Sequence, residues 1–174
     1  MIEQETKIVL IPNSVQVLTE FSQKMGWWSS RIEQFYLDGR TRIRSRESMI
    51  DGSFKFTFTY KIPHGKNSAI EFEREITKEE FGRLMQYSIQ SLSKTRYTNQ
   101  QTTGIIWDLD IFQYGETEFV MLEVEYEEEI PDISWIPKEL ILKKVEKNSE
   151  FSSRKLCDEE YAQKKLVELK WKKK

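Results

Sequence analysis

Glu3-Gln4-Glu5-Thr6-Lys7 runs directly into the apolar stretch Ile8-Val9-Leu10-Ile11. In an extended strand alternate side chains share a face, so Glu3, Glu5 and Lys7 would stand together. Carboxylates beside an ammonium can seat a hard cation with a phosphate next to it. For a single segment, a charged strand face in water is the better account. The same face recurs, however. Arg40, Arg42, Arg44 and Arg46 share one parity, and Lys55, Thr57, Thr59 and Lys61 stand opposite Phe54, Phe56, Phe58 and Tyr60. Glu71, Glu73 and Glu75 stand opposite Ile70, Phe72, Arg74 and Ile76, and Lys94 pairs by parity with Arg96. Asp108 and Asp110 face away from Trp107, Leu109 and Ile111, as do Glu123 and Glu125 from Leu122, Val124 and Tyr126. The charges come in blocks of one sign by strand, whereas solvent-facing sheets favour opposite charges across strands.

The elements that must position these faces follow in chain order. Ser14 is an N-cap for a helix of about ten residues. Val15, Leu18, Phe21 and Met25 form its apolar stripe, Gly26 can end it, and Trp27 and Trp28 are expected to pack beneath it. Strand patterns then dominate: Arg31 to Leu37, the turn Asp38-Gly39, Arg40 to Glu47, Ser53 to Lys61 and Ser68 to Ile76. Thr77 and Glu80 make a capping box, which predicts a helix reaching roughly Leu92. Ser93–Asn99, Ile105–Phe112 and Thr117–Tyr126 bring the total to about eight strands, mostly joined by hairpins, so the sheet should be antiparallel. Glu127 to Ser149 reads as looser, with a short helix near Lys138–Leu142, and Asp158 caps a last helix reaching Trp171.

About eight antiparallel strands can close on themselves, with interior positions alternating along each strand. The expected fold is therefore α+β. Residues 1–174 form one domain, an eight-stranded antiparallel β-barrel with a charged interior, covered outside by about three main helices. In such a tunnel, carboxylates would bind Mg²⁺ or Mn²⁺ and Lys or Arg would bind phosphate oxygens. Together they suit a polyphosphate chain with its metals, and metal-assisted hydrolysis needs no histidine.

Composition removes the main competitors. Lys and Arg number 27 against 29 Asp and Glu, and this balance predicts neither DNA nor an acidic membrane as partner. With one cysteine, Cys157, there is no intramolecular disulfide and no thiolate zinc site. With one histidine, His64, triads and multi-histidine metal centres are excluded. No signal segment or membrane span is apparent, so a cytoplasmic protein is expected, and a homodimer is left open.

Taken together, these residues resemble the CYTH family, the triphosphate tunnel metalloenzymes. Glu3, Glu5 and Lys7 match its opening Glu-x-Glu-x-Lys, Arg42-Ile43-Arg44 its Arg-x-Arg, and Thr59-Tyr60-Lys61 its Thr-x-Lys. Glu71-Phe72-Glu73 matches its first Glu-x-Glu, Lys94-Thr95-Arg96-Tyr97 its Lys-x-Arg-Tyr, and Trp107, Asp110 and Phe112 its Trp-x-x-Asp-x-Phe. Glu123-Val124-Glu125 matches the late Glu-x-Glu, and Trp135 to Glu139 the Trp-x-x-x-Glu after it. The resemblance implies an eight-stranded tunnel, Mg²⁺ or Mn²⁺, and a small molecule carrying a linear triphosphate. By position, Glu3, Glu5, Asp110, Glu123 and Glu125 would hold metal, with Glu71 and Glu73 supporting it or binding a second ion. Lys7, Arg42, Arg44, Lys61, Lys94 and Arg96 would grip phosphates. Glu5, Lys7 and Glu125 would be catalytic. The chain departs from the family at Ile62, where glycine is common, and at Phe151-Ser152-Ser153, where Tyr-x-Asn is usual; Arg154 and Lys155 are the expected substitutes. A triphosphatase is the expected activity, acting on tripolyphosphate, a nucleoside triphosphate or thiamine triphosphate. A class IV-type adenylate cyclase and a non-catalytic triphosphate or nucleotide binder are the alternatives. The cyclases carry a His-Phe pair upstream of the opening motif, where only Met1 and Ile2 stand here.

Overall fold

The computed structural model describes residues 2–12, 14, 26–64, 68–101, 104–127, 129, 131–145 and 148–171, without the side chains of Ile2, Glu3, Asn148, Ser149, Lys170 and Trp171. The helix expected after Ser14, with Val15, Leu18, Phe21 and Met25, lies outside the described residues. The alternating segments form β1 (Ile2–Leu10), β2 (Trp28–Tyr36), β3 (Thr41–Ser48), β4 (Phe54–Pro63) and β5 (Ser68–Glu75). They continue as β6 (Gln90–Gln100), β7 (Ile106–Tyr114), β8 (Thr117–Tyr126) and β9 (Ile141–Val145). In space the order is β5-β4-β3-β2-β6-β7-β8-β1, and β1 then pairs back onto β5. Every pairing is antiparallel, so the first eight strands close into a barrel.

The closing seam is short. Ile2, Glu3 and Gln4 pair with Ile70, Ala69 and Ser68. From Lys7 to Leu10 the same edge of β1 is taken by β9 instead. An exposed strand edge leaves N–H and C=O groups unpaired, and the returning chain satisfies them. This explains one departure from expectation: only Lys138–Leu140 make a helical (3-10) turn, and Ile141 onward is strand. A second departure has a similar cause. The capped helix α1 (Lys78–Met85) keeps its Thr77–Glu80 box but stops well before Leu92. Ile89 N–H donates to the Tyr36 carbonyl at 2.8 Å, and Gln90 to Leu92 complete the ladder with β2.

Apolar side chains cover the barrel outside. Phe81 of α1 packs on Ile43 and Ile76, with its ring 5.0 Å from that of Phe56. Ile8, Leu10, Trp107, Leu109, Leu122 and Val124 are covered by Ile136 and Trp135. A third cluster lies at one end of the barrel interior. Val9, Phe112 and Met121 share strand faces with Lys7, Asp110 and Glu123, and with Phe119 they form an apolar floor. Helix α2 (Glu159–Trp171) and the turns before it bring Phe151, Leu156, Ala162 and Leu166 onto that floor. The carboxyl-terminal segment therefore stops one end of the tunnel. It is tied down by Tyr114, whose hydroxyl donates to the Leu156 carbonyl at 2.5 Å. Arg154 lies across the β2–β3 turn, its Nη1 2.9 Å from where a Cβ on Gly39 would sit. No helix among the described residues is long and apolar enough to cross a membrane.

If α2 is a packed stopper, Leu166→Ala should lower unfolding free energy by about 2–5 kcal/mol in a denaturant titration. Val167→Ala, one position on and 53% exposed, should change it by no more than about 0.5 kcal/mol.

Candidate active site

Register brings the charged faces together inside the barrel. Glu5 is the Cα partner of Glu125, and Lys7 of Glu123. Glu123 in turn faces Asp108, and Asp110 faces Arg96. The arc β7-β8-β1 is therefore an acidic wall, and β6 enters it with two cations. Arg96 is the knot. Its Nε donates to Asp110 Oδ1 and its Nη2 to Asp110 Oδ2 and Glu123 Oε2, each at 2.6 Å, while Nη1 reaches Asp108 Oδ2. The Thr98 hydroxyl donates to the other Asp108 oxygen at 2.5 Å. Lys94 donates to Asp110 and lies 5.4 Å above the Phe112 ring. Lys7 donates to Glu123 and stands 3.5 Å from Glu5.

Across the tunnel, β3, β4 and β5 present the other charges. Arg42 and Lys61 both reach Glu71, at 3.3 and 2.9 Å, and Thr59 donates to Glu73 at 2.9 Å. Arg44 differs from them. Its Nε is buried with no hydrogen-bond partner, and no carboxylate lies within ion-pair distance of it among the described residues. Its strand neighbours, Gln34 and Thr57, leave the Gln34 Oε1 and the Thr57 hydroxyl buried and unpartnered as well. A half-buried cation with a buried, unpartnered nitrogen among other unsatisfied polar atoms is costly, and an anion would relieve it.

The proton equilibria follow from this arrangement. Burial pushes Lys94 down to about 8, helped by the Arg96 charge and opposed by Asp110. Burial and Arg42 hold Arg44 down at about 10. For Lys7, burial is outweighed by Glu123 and Glu5, which raise it above an ordinary lysine. For Glu123, burial is likewise outweighed, by Lys7, Lys94 and Arg96, and its carboxyl is held well below the usual range.

Of the residues picked out by sequence, Glu5, Lys7, Glu123, Glu125, Asp110, Lys94 and Arg96 cluster along β1, β8, β7 and β6. Arg42, Arg44, Lys61, Glu71 and Glu73 cluster along β3 to β5. Glu3 occupies the β1 position opposite Ala69, and its side chain lies outside the description. Among the described residues no three acidic side chains converge into a ready metal seat. Asp110 and Glu123 hold cations, and Glu5 stands 3.5 Å from Lys7; Glu5 and Glu125 are also Cα partners of like charge, which a divalent cation would stabilise. Arg154 donates to Gln90 at 3.2 Å on the exposed side, and Phe151 is core. Asp108, Gln34 and Ser30 join the tunnel lining although the motifs do not name them. Asp108 shares parity with Asp110, and alternation along β2 would have found the other two.

Removing Asp110 would strand Lys94 and Arg96 in the interior. Asp110→Ala should cost about 3–5 kcal/mol in unfolding free energy, measured by denaturant titration.

No protein-family model and no curated protein matches the chain. Solved structures do. It superposes on an inorganic triphosphatase, NE1496, with 20% identity and a TM-score of 0.51, covering 89% of this chain and 93% of that one. PH1819 from Pyrococcus horikoshii OT3 gives 22% identity and a TM-score of 0.54, over 72% of this chain and 79% of that one. At these identities the likeness is one of fold. The closed, charge-lined barrel and the ordered motifs together give this chain the tunnel fold of the CYTH-type, triphosphate tunnel proteins.

Proposed function

We propose that the protein is a metal-dependent triphosphatase that hydrolyses a linear triphosphate inside the barrel. In this reading it acts in the cytoplasm on a small molecule, with no DNA or membrane partner. The observation that carries the reading is Arg44, a half-buried arginine whose Nε is buried and unpartnered, standing between Arg42 and Arg46 on the tunnel face of β3. A chain of phosphates supplies anionic oxygens for Arg44, Arg42 and Lys61, and charge-assisted hydrogen bonds to phosphate suit that set.

Glu5 and Glu125, with Glu3 on the same strand face, are the residues that would hold Mg²⁺ or Mn²⁺. When bound there, the metal would polarise a phosphoryl oxygen and make water a better nucleophile at neutral pH. The chain's own residues do the remaining work. Arg96 and Lys7 fix the acidic wall, and Phe112 and Phe119 exclude water from the stopped end. Phosphate oxygens that draw Lys94, Lys7 and Arg96 toward the substrate would loosen their hold on Asp110 and Glu123. Carboxylates relieved in this way are hard-oxygen ligands of the type a divalent cation takes. Triphosphate and metal should therefore bind with positive coupling. Titration calorimetry should show tripolyphosphate binding at least about tenfold tighter with Mg²⁺ than without, within the usual range of coupling between sites.

The deciding assay is phosphate release from tripolyphosphate, ATP and thiamine triphosphate with Mg²⁺ or Mn²⁺. Release should depend on metal and be lost in Glu5→Gln. Arg44→Gln should raise KM by about tenfold to a hundredfold, the size of a hydrogen bond to a charged group. Because Arg44 is a half-buried charge with no carboxylate within ion-pair distance among the described residues, the same change should leave the unfolding midpoint of the free protein equal or higher. Stabilisation by tripolyphosphate without any release would instead make the protein a binder, and cyclic AMP formation from ATP would make it a cyclase.

The Lys94 ammonium grips phosphate only while protonated. Its protonation falls as pH rises through about 8, so KM for tripolyphosphate should climb above that pH. Lys94→Arg should move the rise to higher pH.

A further inference from the structure

The stopped end fixes the direction from which a substrate comes. Along β6, Leu92 packs against the apolar floor, Lys94 and Arg96 follow on the tunnel face, and Thr98 lies furthest from it. The Cα partner of Thr98 is Trp28, the first residue of β2. Trp28 therefore belongs to the end of the tunnel opposite the floor. Along β3 the guanidiniums run the same way, from Arg42 through Arg44 to Arg46, whose partner Lys55 pairs at 3.7 Å with Glu75. Lys55 and Glu75 are 59% and 69% exposed, which places that end of the row in solvent.

Arg46 has no carboxylate within ion-pair distance among the described residues. Its guanidinium lies over the Trp28 ring, 5.5 Å from the centroid. Burial and the neighbouring Arg96 hold its pKa below that of a free arginine. A strand advances about 6.6 Å for each two residues. A linear triphosphate is about as long as one such step, so with its two ends at Arg42 and Arg44, Arg46 lies past the phosphates, beside whatever they are attached to. Bare tripolyphosphate has nothing to offer there, whereas an aromatic heterocycle does. A planar ring can add one more layer to a guanidinium–indole stack, and such stacking is tolerant of the ring's identity.

The geometry points to Trp28 and Arg46 as a mouth subsite for an aromatic group esterified to the triphosphate, of nucleoside or thiamine type, which resolves the substrate class in favour of organic triphosphates. This rests on the triphosphatase reading above and names the part of the substrate that reading leaves open. Arg46 and Trp28 would support the ring together, beyond the last phosphate. Neither residue touches the reacting atoms.

The test compares KM for ATP, thiamine triphosphate and tripolyphosphate in the wild type, Trp28→Leu, Trp28→Phe and Arg46→Lys, with Mg²⁺ throughout. Trp28→Leu should raise KM by about tenfold for at least one of the two organic triphosphates, leave tripolyphosphate within about twofold, and be largely rescued by Trp28→Phe. Whichever of ATP and thiamine triphosphate shows the loss identifies the ring. Arg46→Lys, which keeps the charge but loses the plane, should follow the same pattern more weakly. An equal change for all three substrates, or no change for any, would overturn the subsite and leave the triphosphatase standing. A wild type that neither cleaves nor binds tripolyphosphate and ATP would remove both.

Discussion

Arg96 is the constraint on which the tunnel depends. One guanidinium, buried to 5% exposure, holds Asp110 with two hydrogen bonds and bridges to Asp108 and Glu123. Three carboxylates on neighbouring strands would otherwise repel one another in a poorly hydrated interior. Buried ion pairs seldom add net stability over apolar packing, because desolvation offsets the attraction. Their presence here is therefore better explained by what the tunnel does than by what the fold needs. The interior is made tolerable by pairing, and the pairing leaves out Arg44.

The two ends of the barrel complete that logic. At one end the same strand faces change from charge to hydrocarbon within one step of alternation, Lys7 to Val9 and Asp110 to Phe112, and α2 packs onto the change. At the other end, Thr98, Arg46, Lys55 and Glu75 keep the lining polar. A chain of phosphates entering such a cup passes from a solvated mouth to a dry floor, where electrostatic interactions strengthen. The short seam between β1 and β5 makes the closure possible, while the pairing of β1 with β8 sets Glu5 opposite Glu125.

Much of this was legible in the chain. Parity alone sorted Lys55–Lys61 and Glu71–Glu75 onto an inner face, and the capping box at Thr77 marked the start of α1. The ends were less legible. Gln90 to Leu92 have helical neighbours in sequence, but β2 offers them a ladder, and backbone pairing outweighed local preference. Ile141 to Val145 became strand for the same reason, because β1 had an edge to satisfy.

What the sequence determined by itself is the two-faced character of each strand and the sign of its charges, since side-chain direction in a strand alternates whatever the partner is. Which charges meet was decided by the tertiary structure. Register is a relation between strands distant in sequence, so nothing local could tell that Arg96 would take Asp108, Asp110 and Glu123, or that Glu71 would serve both Arg42 and Lys61. The isolation of Arg44 is of the same kind: it is one of three arginines on one face of β3, and only the closed barrel decides that Arg42 reaches Glu71 while Arg44 has no carboxylate within ion-pair distance among the described residues.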